Sequence, residues 1–127
     1  MTRCLTTADL LAIAHATMGG EALIRDEGLV DSAASRPRTT MFGEEAYPDL
    51  HLKAAALMHS VLRNHPLIDG NKRLAWVAAR VFLALNGFDF RPDDDLATEF
   101  VLAAAAGESD DLDTVAATLR EWSRDVA

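Results

Sequence analysis

NKRLAWVAARVFLALNG, residues 71–87, is the stretch whose reading decides the fold class. Apolar residues fall nearly all round a helical wheel, the pattern of a helix enclosed on every side rather than amphipathic. Gly87 supplies a left-handed stop. The reading places this helix at the centre of the domain and expects further helices around it.

Working outward, DLHLKAAALMHSVLRNH (49–65) reads as a strong helix. Leu50, Ala54, Leu57, Met58, Val61 and Leu62 stand at helical spacing, Asp49 is a good cap, and Pro66 ends it. TTADLLAIAHATM (6–18) is a first helix capped by Thr6 or Thr7, with Leu10, Leu11, Ile13, Ala14 and Met18 in one stripe and Gly19–Gly20 as its end. A loop at 26–28 leads to a short helix that Pro37 closes. TTMFGEEAYP has no clear period and reads as a connecting segment with at most a short extended piece. Downstream, the acidic start of DDDLATEFVLAAAAG suits a helix dipole. SDDLDTVAATLREWSRD reads as a last helix capped by Ser109 or Asp110, with Leu112, Val115, Ala116, Leu119 and Trp122 inward. The expected class is all-α: a compact bundle of about six helices around a central buried helix, in a single domain spanning 1–127.

Composition sets the limits. Half the residues are apolar and a quarter charged, which suits a packed globular core. Twenty acidic against twelve basic residues give a net charge of −8, which disfavours direct nucleic acid or anionic membrane binding as a general property. No apolar run is long enough to span a bilayer. The start lacks the pattern of a signal peptide, and Cys4 has no partner in the chain for a disulfide. A reducing, cytoplasmic setting is expected.

HPLIDGNKR (65–73) concentrates the chemistry. A helix start presents free N–H groups and partial positive charge, so the turn into residue 71 is a natural anion site that Gly70 lets a phosphate approach. Lys72 and Arg73 sit in the first turn, where cations oppose the dipole unless an anion compensates. Asp69 can offer a carboxylate to Mg²⁺, and His65 is suited to taking a proton from a hydroxyl. These are the parts that phosphoryl or nucleotidyl transfer requires. A second reading stays open on chemistry alone, because Asp-Gly-Asn is also a common turn and cap sequence. His15, His51 and His59 have none of the i, i+4 spacing of a zinc pair.

Position by position, the stretch resembles the signature of the Fic (filamentation induced by cAMP) superfamily, HxFx(D/E)GN(G/K)RxxR, with His65, Asp69, Gly70, Asn71, Lys72 and Arg73 in register. Lysine after the asparagine is similar to the death-on-curing (Doc) branch, toxins paired with a small antitoxin. The stretch from Leu23 to Pro66 also resembles the segment preceding the motif in Doc-like proteins. Two positions depart from the signature. Leu67 replaces the phenylalanine that anchors the loop, and leucine is expected to bury in its place. Trp76 stands where the second arginine would help hold phosphates for AMP transfer.

The resemblance implies a toxin that moves the terminal phosphate of ATP, with Mg²⁺, onto a hydroxyl of a target protein, elongation factor Tu, and so inhibits translation. It further implies a Phd-like antitoxin as partner. His65 would be the general base, and Asp69 would orient the metal or the nucleophile. Asn71, Lys72 and Arg73 would hold the nucleotide phosphates, with Lys72 and Arg73 stabilising transferred charge and Gly70 adding its N–H. Arg63 is added as a candidate for the same pocket. Met41–Tyr47 is the segment assigned to a flap that aligns the target peptide as an added strand, against the alternative of a loop with Met41 and Phe42 tucked into the core. The inhibitory pattern (S/T)xxxE(G/N) of many Fic proteins is not matched, since Leu23 stands four residues before Glu27-Gly28. The alternatives carried forward are AMP transfer to a protein hydroxyl and a catalytically inactive partner-binding module.

Overall fold

The computed structural model describes residues 2–90, 92–107 and 111–126. Its six α-helices are α1 (Thr7–Thr17), α2 (Glu27–Ser35), α3 (Leu50–Asn64), α4 (Asn71–Leu85), α5 (Asp94–Ala106) and α6 (Leu112–Trp122). A single 3₁₀ turn, Arg36–Arg38, follows α2 and holds Pro37. Four short strands complete the description: β1 (Thr40–Met41) with β2 (Glu44–Glu45), and β3 (Phe88–Phe90) with β4 (Ser123–Asp125), each pair antiparallel.

Most helix starts are built alike. Thr6 and Asp9 form a reciprocal capping box at α1, while Asp26, Asp49, Asp93 and Asp111 accept first-turn N–H groups at α2, α3, α5 and α6. Such caps satisfy donors that the helix itself leaves free. Ser109 and Asp110, expected to cap the last helix, lie outside the described residues.

The helix at the centre is α3, not α4. Ala54, Ala55, Ala56 and Val61 have no solvent exposure, and ten of the residues of α3 are buried against six of α4. Alanine lets neighbours approach closely on every side, so enclosure here comes from small side chains rather than from a run of large ones. α4 packs along α3, with Leu74, Ala75, Ala78, Ala79, Phe82 and Leu83 buried, and α1, α2, α5 and α6 complete the shell. No helix among the described residues is long and apolar enough to cross a membrane.

Two features differ from the sequence reading. α6 stops at Trp122, and Ser123–Asp125 turns extended to pair with Phe88–Phe90. The connection Thr40–Glu45 is a two-stranded hairpin, with Phe42 and Gly43 both at positive φ in its turn, as a tight hairpin requires.

Candidate active site

α3 ends in an unusual way. Its C-terminal cap is His65, a non-glycine residue in the left-handed region at φ 49° and ψ 65°, whose N–H donates to the Val61 carbonyl at 3.1 Å. Pro66 then forbids helical continuation, and Leu67 buries its side chain to 1 % exposure, as expected of a leucine replacing a larger anchor. The loop that follows is held from two sides. Asn71 clamps Leu67 from within, its Oδ1 accepting the Leu67 N–H and its Nδ2 donating to the Leu67 carbonyl, both at 2.9 Å. From outside, Ile24 bridges Leu67, the Arg25 and Asp26 N–H groups donate to the Pro66 carbonyl, and the Ile68 N–H donates to the Leu23 carbonyl. The Arg25 guanidinium donates to the carbonyls of His65 at 2.6 Å and Asn64 at 2.5 Å.

This loop opens into a cleft of about 680 Å³ that gathers His65, Asp69, Gly70, Asn71, Lys72 and Arg73, with Met18, Leu62, Ile68, Leu102, Ala105 and Ala106 as its apolar walls. The first turn of α4 forms part of its wall. Alone among the six α-helices, α4 has no side-chain cap among the described residues. Gly70 occupies the cap position at φ 88°, a backbone conformation that selects glycine, and a Cβ there would require the flexible Met18 side chain to shift. Asp69 Oδ1 accepts the Gly70 N–H at 2.9 Å. Lys72 and Arg73 are exposed, and Arg73 donates to the Thr17 carbonyl at 3.2 Å. Lysine and arginine at an uncapped N-terminus repel the dipole and each other, a cost that an anion in the cleft would reverse.

Six of the seven candidate residues therefore line one cleft. Asn71 is among the six, and its amide makes both of its hydrogen bonds to the loop backbone at Leu67. Arg63 does not line it. Its guanidinium donates to the Ala104 and Ala105 carbonyls at 3.0 and 3.2 Å. Those carbonyls lie at the C-terminal end of α5, whose last turn has no cation of its own, so Arg63 supplies one from α3.

A smaller cavity of about 310 Å³ adjoins the cleft, sharing Lys72, Arg73 and Leu102 and adding Trp76, Asp94, Ala97, Thr98 and Val101. Trp76 is packed edge-to-face against Phe90, Phe100 and Trp122 at centroid distances of 5.2, 6.2 and 6.3 Å. An aromatic cluster thus takes the place where the signature would put a second cation.

No group of three or more His, Cys, Asp or Glu among the described residues is placed to hold a metal ion. Among the described residues, Asp69 is the one carboxylate lining the cleft. A single carboxylate beside substrate phosphates is a donor set that Mg²⁺ accepts, so the residues present fit that ion arriving with a nucleotide.

The other histidines have structural partners. His15 Nδ1 accepts the Ala22 N–H, and His59 Nδ1 meets Arg36 at 2.6 Å. His51 is buried, pairs with Ser123 Oγ at 2.9 Å and stacks edge-on to Phe88. Burial pushes its basicity down, the Asp49 carboxylate partly offsets this and Arg120 adds to it. The hairpin of β1 and β2 holds Met41 and Phe42 outward, Phe42 fully exposed, and not in the core. It is tied to the body by buried Lys53, which donates to Glu45 and to the Tyr47 carbonyl, and by Arg36 on the Tyr47 hydroxyl. Sequence reading missed Arg25, Met18 and Leu102 as parts of the site, because each comes from an element far from the motif in the chain.

The model of the Fic/DOC family matches residues 4–83 of this chain. Toxin Doc of Mycolicibacterium smegmatis is 46% identical over 120 residues, a span covering 94% of this chain and 92% of the relative.

Proposed function

Since the chain belongs to the Fic/DOC family, we propose that it is the toxin of a toxin–antitoxin pair and transfers the terminal phosphate of ATP to a hydroxyl of a target protein, with elongation factor Tu as the target. One observation carries the reading: the uncapped start of α4, with two cations in its first turn, opens on the same cleft as His65. The relative's name supports the toxin assignment. The partner follows from it, a cognate antitoxin of Phd-like type that restrains the toxin in trans.

In the transfer, the His65 imidazole takes the proton of the target hydroxyl as its oxygen attacks the γ-phosphorus. The bond from that phosphorus to the β–γ bridging oxygen breaks, and ADP leaves. Lys72, Arg73 and the free N–H groups of the first turn of α4 stabilise negative charge on the transferred group. Asp69 would hold Mg²⁺, which when bound neutralises charge on the β- and γ-phosphate oxygens. Asn71 keeps the loop in register through Leu67.

Transfer of the γ-phosphate is favoured over AMP transfer by the aromatic packing of Trp76, which removes a cation from the far side of the site. The test incubates the protein with elongation factor Tu and ATP labelled at either the γ- or the α-phosphate. Label from the γ-phosphate on the target is expected. Label arriving from the α-phosphate alone overturns the reading in favour of AMP transfer. Growth inhibition that persists in His65→Ala would point to an inactive binding module.

A further inference from the structure

We propose that Arg25 is a positioning residue that sets the direction of the His65 imidazole. The exposed His65 side chain has no hydrogen-bond partner among the described residues, so its direction is fixed through its backbone. That backbone is in the left-handed region, which disfavours a side chain carrying a Cβ and persists where surrounding contacts over-determine it. The guanidinium of Arg25 meets the carbonyls of Asn64 and His65, the two consecutive groups across which the chain leaves the helix for that conformation.

Arg25 is itself well anchored. Its N–H donates to Pro66 at 2.8 Å, its neighbour Ile24 bridges Leu67, and Asp26 both donates to Pro66 and caps α2. The guanidinium therefore reaches the histidine from a base fixed to the same loop. Its planar fork spans two adjacent acceptors, which a lysine ammonium on a flexible stem does not reproduce. Backbone bonds hold the loop in place, and the fork holds the turn at its first residue.

The rival explanation is that Arg25 only neutralises the negative end of α3. Under it, Arg25→Lys behaves like wild type and Arg25→Ala lowers the melting temperature alone. Under positioning, Arg25→Ala lowers kcat by roughly 10–100-fold, the scale of a small misplacement of a reacting group, while KM for ATP stays within about twofold because Lys72 and Arg73 are untouched. Arg25→Lys recovers only part of that loss.

The kinetic arm rests on the transfer reading above; a second arm does not. In the full chain labelled with ¹³C and ¹⁵N, Arg25→Ala is expected to move the His65 Cα shift away from its left-handed value and leave the Lys72 and Arg73 amides in place. Wild-type kcat in Arg25→Ala, full recovery in Arg25→Lys, or an unmoved His65 Cα shift each overturns the proposal. Should the wild type transfer no phosphate, the transfer reading fails, and the His65 shift decides the case of Arg25. If Arg25→Ala does not fold, Arg25→Gln and Arg25→Lys carry the same comparison.

Discussion

The starts of α3 and α4 pose the same electrostatic problem and answer it in opposite ways. At α3, Asp49 accepts the His51 and Leu52 N–H groups at 2.7 and 3.0 Å, and Arg120 from α6 closes over its other oxygen at 2.9 Å. At α4, no side chain among the described residues caps the helix, and Lys72 and Arg73 occupy the first turn. One helix start is neutralised within the molecule. The other is kept unsatisfied, facing a cleft beside His65. Stability and function have been divided between two helices that lie against each other.

The hardest way to break the comparison is at the open end. His65→Ala is expected to lower phosphate transfer by roughly 10²–10⁴-fold, the range for loss of a general base, with an unchanged melting temperature because the side chain is exposed. Assay of labelled elongation factor Tu beside a thermal melt checks both. A melt shifted down as strongly as activity would return the residue to the structural side of the divide.

Gly70→Ala attacks the geometry of the same end. The left-handed φ alone is expected to cost about 1–2 kcal/mol, and Met18 must also swing aside. Urea titration measures the first, and loss of stabilisation by ATP measures the second. At the closed end, Asp49→Ala is expected to cost about 1 kcal/mol of stability as a lost cap, with stabilisation by ATP unchanged.

The closed end also carries a pH signature. Burial and Arg120 hold the His51 imidazole below its ordinary 6.5 against the pull of Asp49. For Asp49, burial raises the carboxyl, but the Leu52 and His51 N–H groups and Arg120 outweigh it and keep it below 3.8. Both groups bind protons more readily in the unfolded chain. Their stabilisation is therefore complete above about pH 6.5 and is lost on acidification, first through His51 and then through Asp49. His51→Gln should flatten the upper part of a plot of stability against pH, and an unaltered slope there would remove His51 as its source.

The smallest effect sharpens the comparison most. Lys72→Glu makes α4 resemble its neighbours and is expected to raise stability by about 0.3–1 kcal/mol while abolishing the melting shift given by ATP. A variant that is both more stable and still stabilised by ATP would contradict the idea that the unsatisfied end is reserved for an anion.

Much of this was legible in the sequence, and for definite reasons. Five helix starts carry Thr or Asp caps, and Pro66 with Gly70 brackets the motif loop, so local chemistry marked the boundaries. His65, Asp69, Gly70, Lys72 and Arg73 are close in the chain and meet in one cleft because a single loop and helix turn present them. The sequence points to α4 rather than α3 as the central helix because Ala54–Ala56 bury completely yet weigh little in hydrophobicity, while His51, Lys53 and Ser60 are buried polar groups on α3. β3 and β4 are three residues each and separated by two helices, so no local pattern announces their pairing. The sequence suggests the cleft for Arg63 because the α5 carbonyls that hold it come from a distant segment. The same distance hid Arg25.

The Asn71 clamp has a consequence for how this protein ages. Hydrolysis of one side-chain amide, a change that barely alters size or shape, would turn the donor facing the Leu67 carbonyl into a carboxylate oxygen and set two acceptors against each other. Deamidation at Asn71 would thus retire a molecule that still looks folded, and Asn71→Asp reproduces that aged form at will.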